Sequence, residues 1–109
     1  MATFFKNKVV NNVGTTPVQL AQTLAGTRAT AIGLSITNLT ESIVSVSVLL
    51  TDETSTTGYY LKDVEIAPQS SLRAINGGEK LIIAAENELT VVANIPNAVD
   101  VILSYVEIV

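Results

Sequence analysis

The chain has 109 residues, 48% of them hydrophobic and 15% charged, a formal net charge of -4, and neither cysteine nor histidine. That length builds one domain with a core of its own. The composition excludes a disulfide framework, a thiolate metal centre and the usual general base near neutral pH; it also argues against a phosphate-neutralising surface, because Lys6, Lys8, Arg28, Lys62, Arg73 and Lys80 are scattered.

The opening stretch, MATFFKNKVVNN, has no signal-peptide core, and no apolar run approaches the roughly 20 residues of a membrane helix. The expectation is a soluble protein made in the cytoplasm and not exported by a cleaved signal. FFKNKVVNN reads either as an edge strand or as an extended arm. VGTTPVQLAQT follows, with Pro17 near the start of a strand, where a missing N–H does little harm. In ATAIGLSITN, Ile32, Leu34 and Ile36 alternate with Ala31, Gly33, Ser35 and Thr37, which predicts a strand with a small-residue outer face. Residues 38–42 read as a turn. IVSVSVLLTD puts Val44, Val46, Val48 and Leu50 on one face, with Ser45 and Ser47 on the other between Ile43 and Leu49.

A polar loop, DETSTTG, leads to YYLKDVEIAP, a strand through Leu61 that bends before Val64 and Ile66. PQSS is a turn. SLRAI and EKLIIA are short strands around a turn at residues 76–78, where Asn and Gly tolerate positive φ. AAENE turns again. ELTVVANI aligns Leu89, Val91, Ala93 and Ile95, and IPNAVD turns into the last strand, VDVILSYVEIV. There Val99, Val101, Leu103, Tyr105 and Val109 point one way. Ile102, Val106 and Ile108 point the other way, beside Asp100 and Ser104.

Val, Ile and Thr make up about a third of the chain, and no segment shows a long helical period with a cap and a stop. Eight or nine short strands at a spacing of roughly ten residues predict an all-β fold. The expected architecture is a single-domain antiparallel β-sandwich, jelly-roll or immunoglobulin-like, over residues 13–109, with residues 1–12 as arm or edge strand.

Catalysis needs a nucleophile with a base, a metal, or a carboxylate pair in a cleft. The carboxylates here fall mostly in turns, so no enzyme activity and no cofactor are expected. Glu86 and Glu88 flank Asn87 in a solvated turn, with too few convergent oxygens for a hard cation. Asn38-Leu39-Thr40 matches a glycosylation sequon, a chance match without a secretory signal. Gly77-Gly78 is not a phosphate loop, since no Lys-Ser/Thr pattern follows. Tyr59-Tyr60 divides into one core and one surface residue, or stacks on a sugar ring.

The second faces carry more apolar residues than solvent requires. Ile102, Val106 and Ile108 form a row on the last strand, and Ile43 and Leu49 frame the serines. Monomers seldom expose broad apolar patches. A flanking loop or the N-terminal segment would cover them in one reading; another copy or a larger assembly would cover them in the other, which the recurrence of the pattern favours. Phe4, Phe5, Val9 and Val10 are candidates for an arm that adds a strand to a neighbour's sheet, or for the domain's own first strand.

AIGLSITNLTESIVSVSVLLTD, GYYLKDVEIAPQSSL, GGEKLIIAAENELTVVAN and VDVILSYVEI together resemble small virion structural proteins of tailed bacteriophages. The resembling pieces are VGTTPV at residues 13–18, close to a V-x-G-T-x-P-V opening but one residue shorter, and an I-G-L-x-I-x-N strand at residues 32–38. A Val/Ser strand at residues 43–51 and an I-x-P-x-S-S-L turn at residues 66–72 follow. The last two are a G-G-x-K-L hairpin at residues 77–83 and a closing strand at residues 99–108. Residues before 13 do not match well.

The resemblance implies a head decoration (cement) protein, or another small head, neck or tail component, made in the host cytoplasm and located in the virion. It implies a homo-oligomer, a trimer for a decoration protein, with the major capsid protein or other virion proteins as partners. It implies no cofactor; the charge and hydropathy patterns lead to the expectation of no nucleic-acid and no membrane partner. The rival of a different class is a glycan-binding host-attachment module using Tyr59, Tyr60 and the DETSTTG loop.

Overall fold

The computed structural model describes residues 2–76 and 78–109. Nine strands follow in order: β1 Thr3–Val13, β2 Val18–Gln22, β3 Arg28–Asn38, β4 Val44–Thr51, β5 Thr57–Ile66, β6 Ser71–Ile75, β7 Leu81–Ile83, β8 Glu88–Ala93 and β9 Val99–Ile108. The all-β expectation holds, and the strands form two antiparallel sheets.

The pairing is nested. β1 pairs with β9, β2 with β8, β3 with β6 and then β7, and β4 with β5. This is one long hairpin whose tip is the β4–β5 connection. Rolling it up sets β9 beside β3 and β8 beside β4. The first sheet then runs β1-β9-β3-β6, with β7 also on β3, and the second runs β2-β8-β4-β5. A hairpin rolled into two sheets in this order is a jelly roll, which decides between the two expected sandwiches.

The core lies between the sheets and is made of small branched side chains. Val44, Val46 and Val48 from β4 and Val99, Val101 and Leu103 from β9 belong to it, all essentially without solvent contact. Leu89 and Val91 are buried with them, while Tyr105 and Ile95 pack half-buried at the margin. Side chains of this size let two sheet faces interdigitate about 10 Å apart.

Two expectations fail. Ile32 does not share a face with Leu34 and Ile36: a β-bulge separates the pairs Ala31–Tyr105 and Gly33–Ser104. One extra residue reverses the alternation, so Ala29 and Ala31 turn inward and Ile32 turns out. β6 and β7 do not form a hairpin either. Both pair with β3, at residues 34–37 and 29–31, so they are two pieces of one interrupted strand. The interruption stands opposite the β3 bulge, where the edge cannot keep register. The turn expected at residues 76–78 includes Gly77, outside the described residues; beside it the Glu79 N–H donates to the Asn76 carbonyl at 3.1 Å.

The bend expected in β5 is present as two register shifts against β4. Ser47 fills the bend from the β4 side. Its hydroxyl accepts from the Asp63 N–H at 2.9 Å, which satisfies a residue held at φ 49°.

At one end of the sandwich Asn38 joins three segments. Its amide donates to the carbonyls of Ser42 at 2.7 Å and Ile66 at 3.0 Å, and its Oδ1 accepts from the Thr40 N–H at 2.8 Å. Gly14 passes close to the chain after β8: a Cβ there would lie 3.0 Å from backbone atoms of Pro96 and Asn97.

Candidate assembly surface

The outer face of the first sheet is built from residues that the pairing sets in rows. One row runs Phe5, Val106, Thr30 and Ile82 across β1, β9, β3 and β7. A second runs Val9, Ile102, Ser35 and Arg73, ending on β6. Asn7, Ser104 and Gly33 lie between them. Residues opposite each other in an antiparallel pair point to the same side, so each row is one strip of surface. Phe5 is 80% exposed, Val9 62%, Ile82 61% and Ile102 46%. Val106 is half-buried within the first row, and Ile108, paired with Thr3 and Arg28, is half-buried just beyond it.

The outer face of the second sheet is different. Ser45 pairs with Glu65, Ser47 with Val92, and Leu49 with Tyr59 and Thr90; Gln19 lies beyond Thr90. Hydroxyls, amides and carboxylates dominate it. The two outer faces of this sandwich are thus unequal in degree: the rows of the first expose Phe5, Val9, Ile82 and Ile102, and those of the second expose Tyr59, with Leu49 and Val92 half-buried.

The structure brings together Phe5, Val9, Ile102, Val106 and Ile108 from the sequence-based candidates. It separates the other four. Phe4 lies opposite Glu107, on the other side of β1 from Phe5. Val10 faces Val101 and packs against the domain's own core. Ile43 is exposed in the loop before β4, and Leu49 belongs to the second sheet. Ile82 joins the apolar face without having been singled out. Its signal lay in Leu81-Ile82-Ile83, since a strand cannot bury three successive side chains on one side.

Residues 3–13 are the edge strand of the first sheet, paired with β9. Lys6 Nζ lies 2.8 Å from Glu107 Oε1 and 5.6 Å from the Phe4 ring centre. The hydrogen bond and the negative charge of Glu107 raise the Lys6 ammonium above its ordinary pKa. At the tip of the rolled hairpin, Asp52 Oδ1 accepts from the Thr54 hydroxyl at 2.6 Å and from the N–H groups of Thr54 and Thr56. These bonds favour the ionised form and lower its pKa.

Beside that loop is a groove of about 330 Å³ lined by Leu50, Asp52, Thr56, Tyr59, Tyr60 and Leu81. Tyr60 is half-buried, with its hydroxyl donating to Glu79, while Tyr59 is exposed with Lys62 Nζ 5.5 Å from its ring centre. Among the described residues no three His, Cys, Asp or Glu side chains converge to hold a metal ion. The sequon at Asn38 is structural: the side chain is buried, and its amide hydrogens are committed to the loop carbonyls.

No protein-family model matches the chain, and no curated protein matches it. Solved structures do share its fold. A chain from Bacillus endospore appendages, described as a novel family of disulfide-linked pili, is 8% identical, with a TM-score of 0.58 over 96% of this chain and 86% of that one. A chain in the acid-stable capsid structure of Helicobacter pylori bacteriophage KHP30 is 14% identical, with a TM-score of 0.50 over 100% of this chain and 89% of that one. At these identities the likeness is one of fold.

Proposed function

We propose that the chain is a non-catalytic structural subunit of a virus particle, with capsid decoration (cement) as its role, attached as a homo-oligomer to the major capsid protein. The observation that carries this reading is the inequality of the two outer faces. The exposed Phe5, Val9, Ile82 and Ile102 on one sheet suit a surface that another subunit covers, whereas the second sheet, with Ser45, Glu65, Thr90 and Gln19 on its outer face, suits water better. The fold likeness to a phage-capsid chain only a little longer than this one supports the viral context. A cement subunit works by burying area across joints between shell subunits. Each contact is modest, and several linked contacts multiply it.

Counting copies of the chain per purified particle by quantitative mass spectrometry tests the proposal. Hundreds of copies are expected. A dozen or fewer would move the chain to the neck or tail, and none would refute a virion role. The groove beside Tyr59 supports a second reading, glycan attachment, which would require glycan-array binding that is lost in Tyr59→Ala.

A further inference from the structure

The free edge of β1 is as informative as the face beside it. Among the described residues β1 pairs only with β9. Ala2 and Val109 exchange both backbone hydrogen bonds, at 3.0 and 2.9 Å. In an antiparallel ladder this exchange recurs at every second residue. Phe4, Lys6, Lys8 and Val10 therefore face β9 with their backbone groups. Thr3, Phe5, Asn7 and Val9 turn their N–H and C=O groups toward the open edge, and their side chains lie on the apolar face. A long exposed edge of this kind is a template for another strand. Edge lysines commonly guard against such pairing, but Lys6 is drawn back over the sheet to Glu107.

We propose that two copies of the chain join edge to edge through β1, antiparallel about a two-fold axis at Phe5, so that their first sheets continue into one another. The inference rests on the assembly reading above and names one partner for it. The lysines exclude the registers centred on residues 6–8, and an axis at Phe4 would pair fewer residues than one at Phe5. An axis at Lys6, Asn7 or Lys8 sets a lysine directly against a lysine of the second copy, which is destabilising. An axis at Val9 runs the pairing into the irregularity between Val10 and Val13, where Asn12 has φ 54°. With the axis at Phe5, Lys6 stands opposite Phe4 of the second copy, an aromatic ring rather than a charge. Phe5 then exchanges both backbone bonds with its own counterpart, and Thr3 exchanges them with Asn7. The row Ile82, Thr30, Val106 and Phe5 then continues into its counterpart across the axis, which doubles the apolar area offered to a third partner.

The chain has no cysteine, so single-cysteine variants report the register directly. Across a hydrogen-bonded antiparallel pair the Cα atoms are about 5.5 Å apart, within disulfide range. Phe5→Cys is expected to give a covalent dimer under mild oxidation. Asn7→Cys is expected to stay monomeric on a non-reducing gel, since the two positions 7 would lie about 13 Å apart at strand rise. Asn7→Pro removes an N–H that faces the open edge and leaves the β1–β9 bonds intact. It should weaken self-association at least tenfold in sedimentation while the melting curve keeps its shape. Cross-linking by Asn7→Cys alone, or self-association untouched by Asn7→Pro, would overturn the inference. If association instead survives Asn7→Pro and fails in Ile102→Glu, the edge is wrong and the assembly reading stands. A wild-type chain that stays monomeric at every concentration would refute both.

Discussion

Asn38 donates from a fully buried amide to the carbonyl of Ile66, 28 positions further along the chain, at 3.0 Å. With the bonds to Ser42 and Thr40 it holds the end of β3, the loop after it and the end of β5 in one place. A single polar side chain thereby fixes three crossings of the sandwich end.

Asn38→Ala leaves these loop groups without their partner. Each buried polar group stranded in this way costs about 1–3 kcal/mol, so a loss of about 2–4 kcal/mol is expected. For a domain of this size that lowers Tm by roughly 10–25 °C, measurable by calorimetry.

Val106→Glu and Leu103→Ala are expected to separate assembly from folding. Val106 is half-buried on the outer face, so its charged variant should fold, with a urea midpoint close to wild type, and lose self-association in sedimentation. Leu103 is buried in the core, and truncating it should cost about 2–5 kcal/mol. A Val106→Glu chain that fails to fold would remove the distinction between the two faces of β9.

Gly14→Ala brings a methyl group to 3.0 Å from the backbone of Pro96 and Asn97. Neither neighbour is a flexible side-chain end, so the backbone itself must shift. A cost of about 1–3 kcal/mol is expected in chemical denaturation, with the largest NMR shift changes at residues 96 and 97.

The loop at the hairpin tip should respond to acid. The folded-state pKa of Asp52 is lowered, so its contribution is present above the unfolded carboxylate value and is lost as pH falls through the lower folded value. Protection of the Thr54 and Thr56 amides, measured against the exchange of free amides at the same pH, should persist until the pH passes below 3.8, the ordinary value, and then fall. A carboxyl titration by NMR at or above 3.8 would contradict this.

Where alternation is unbroken, the strand and its inward face can be read directly from the residues. Val44, Val46 and Val48, and Val99, Val101 and Leu103, lie in the core as their spacing implies. Ile32 shows where this fails: an inserted residue leaves the pattern Ile-Gly-Leu-Ser-Ile looking regular while the backbone reverses its facing. The pairing of β6 and β7 was equally hidden, because a turn motif says that a chain turns and not which strand it meets next. The apolar face was half legible. Ile102, Val106 and Ile108 announced themselves by parity on one strand, but their company with Phe5, Val9 and Ile82 depends on registers set by strands far apart in sequence.

The nested pairing also imposes an order in time. β1 and β9 are partners separated by almost the whole chain, and Lys6 reaches Glu107 across 101 positions. β1 therefore reaches its native partner only once β9 has been made. Contacts of such range fold slowly, over milliseconds to seconds. Until it docks, β1 has both backbone edges unpaired, which is the state most open to pairing with another chain.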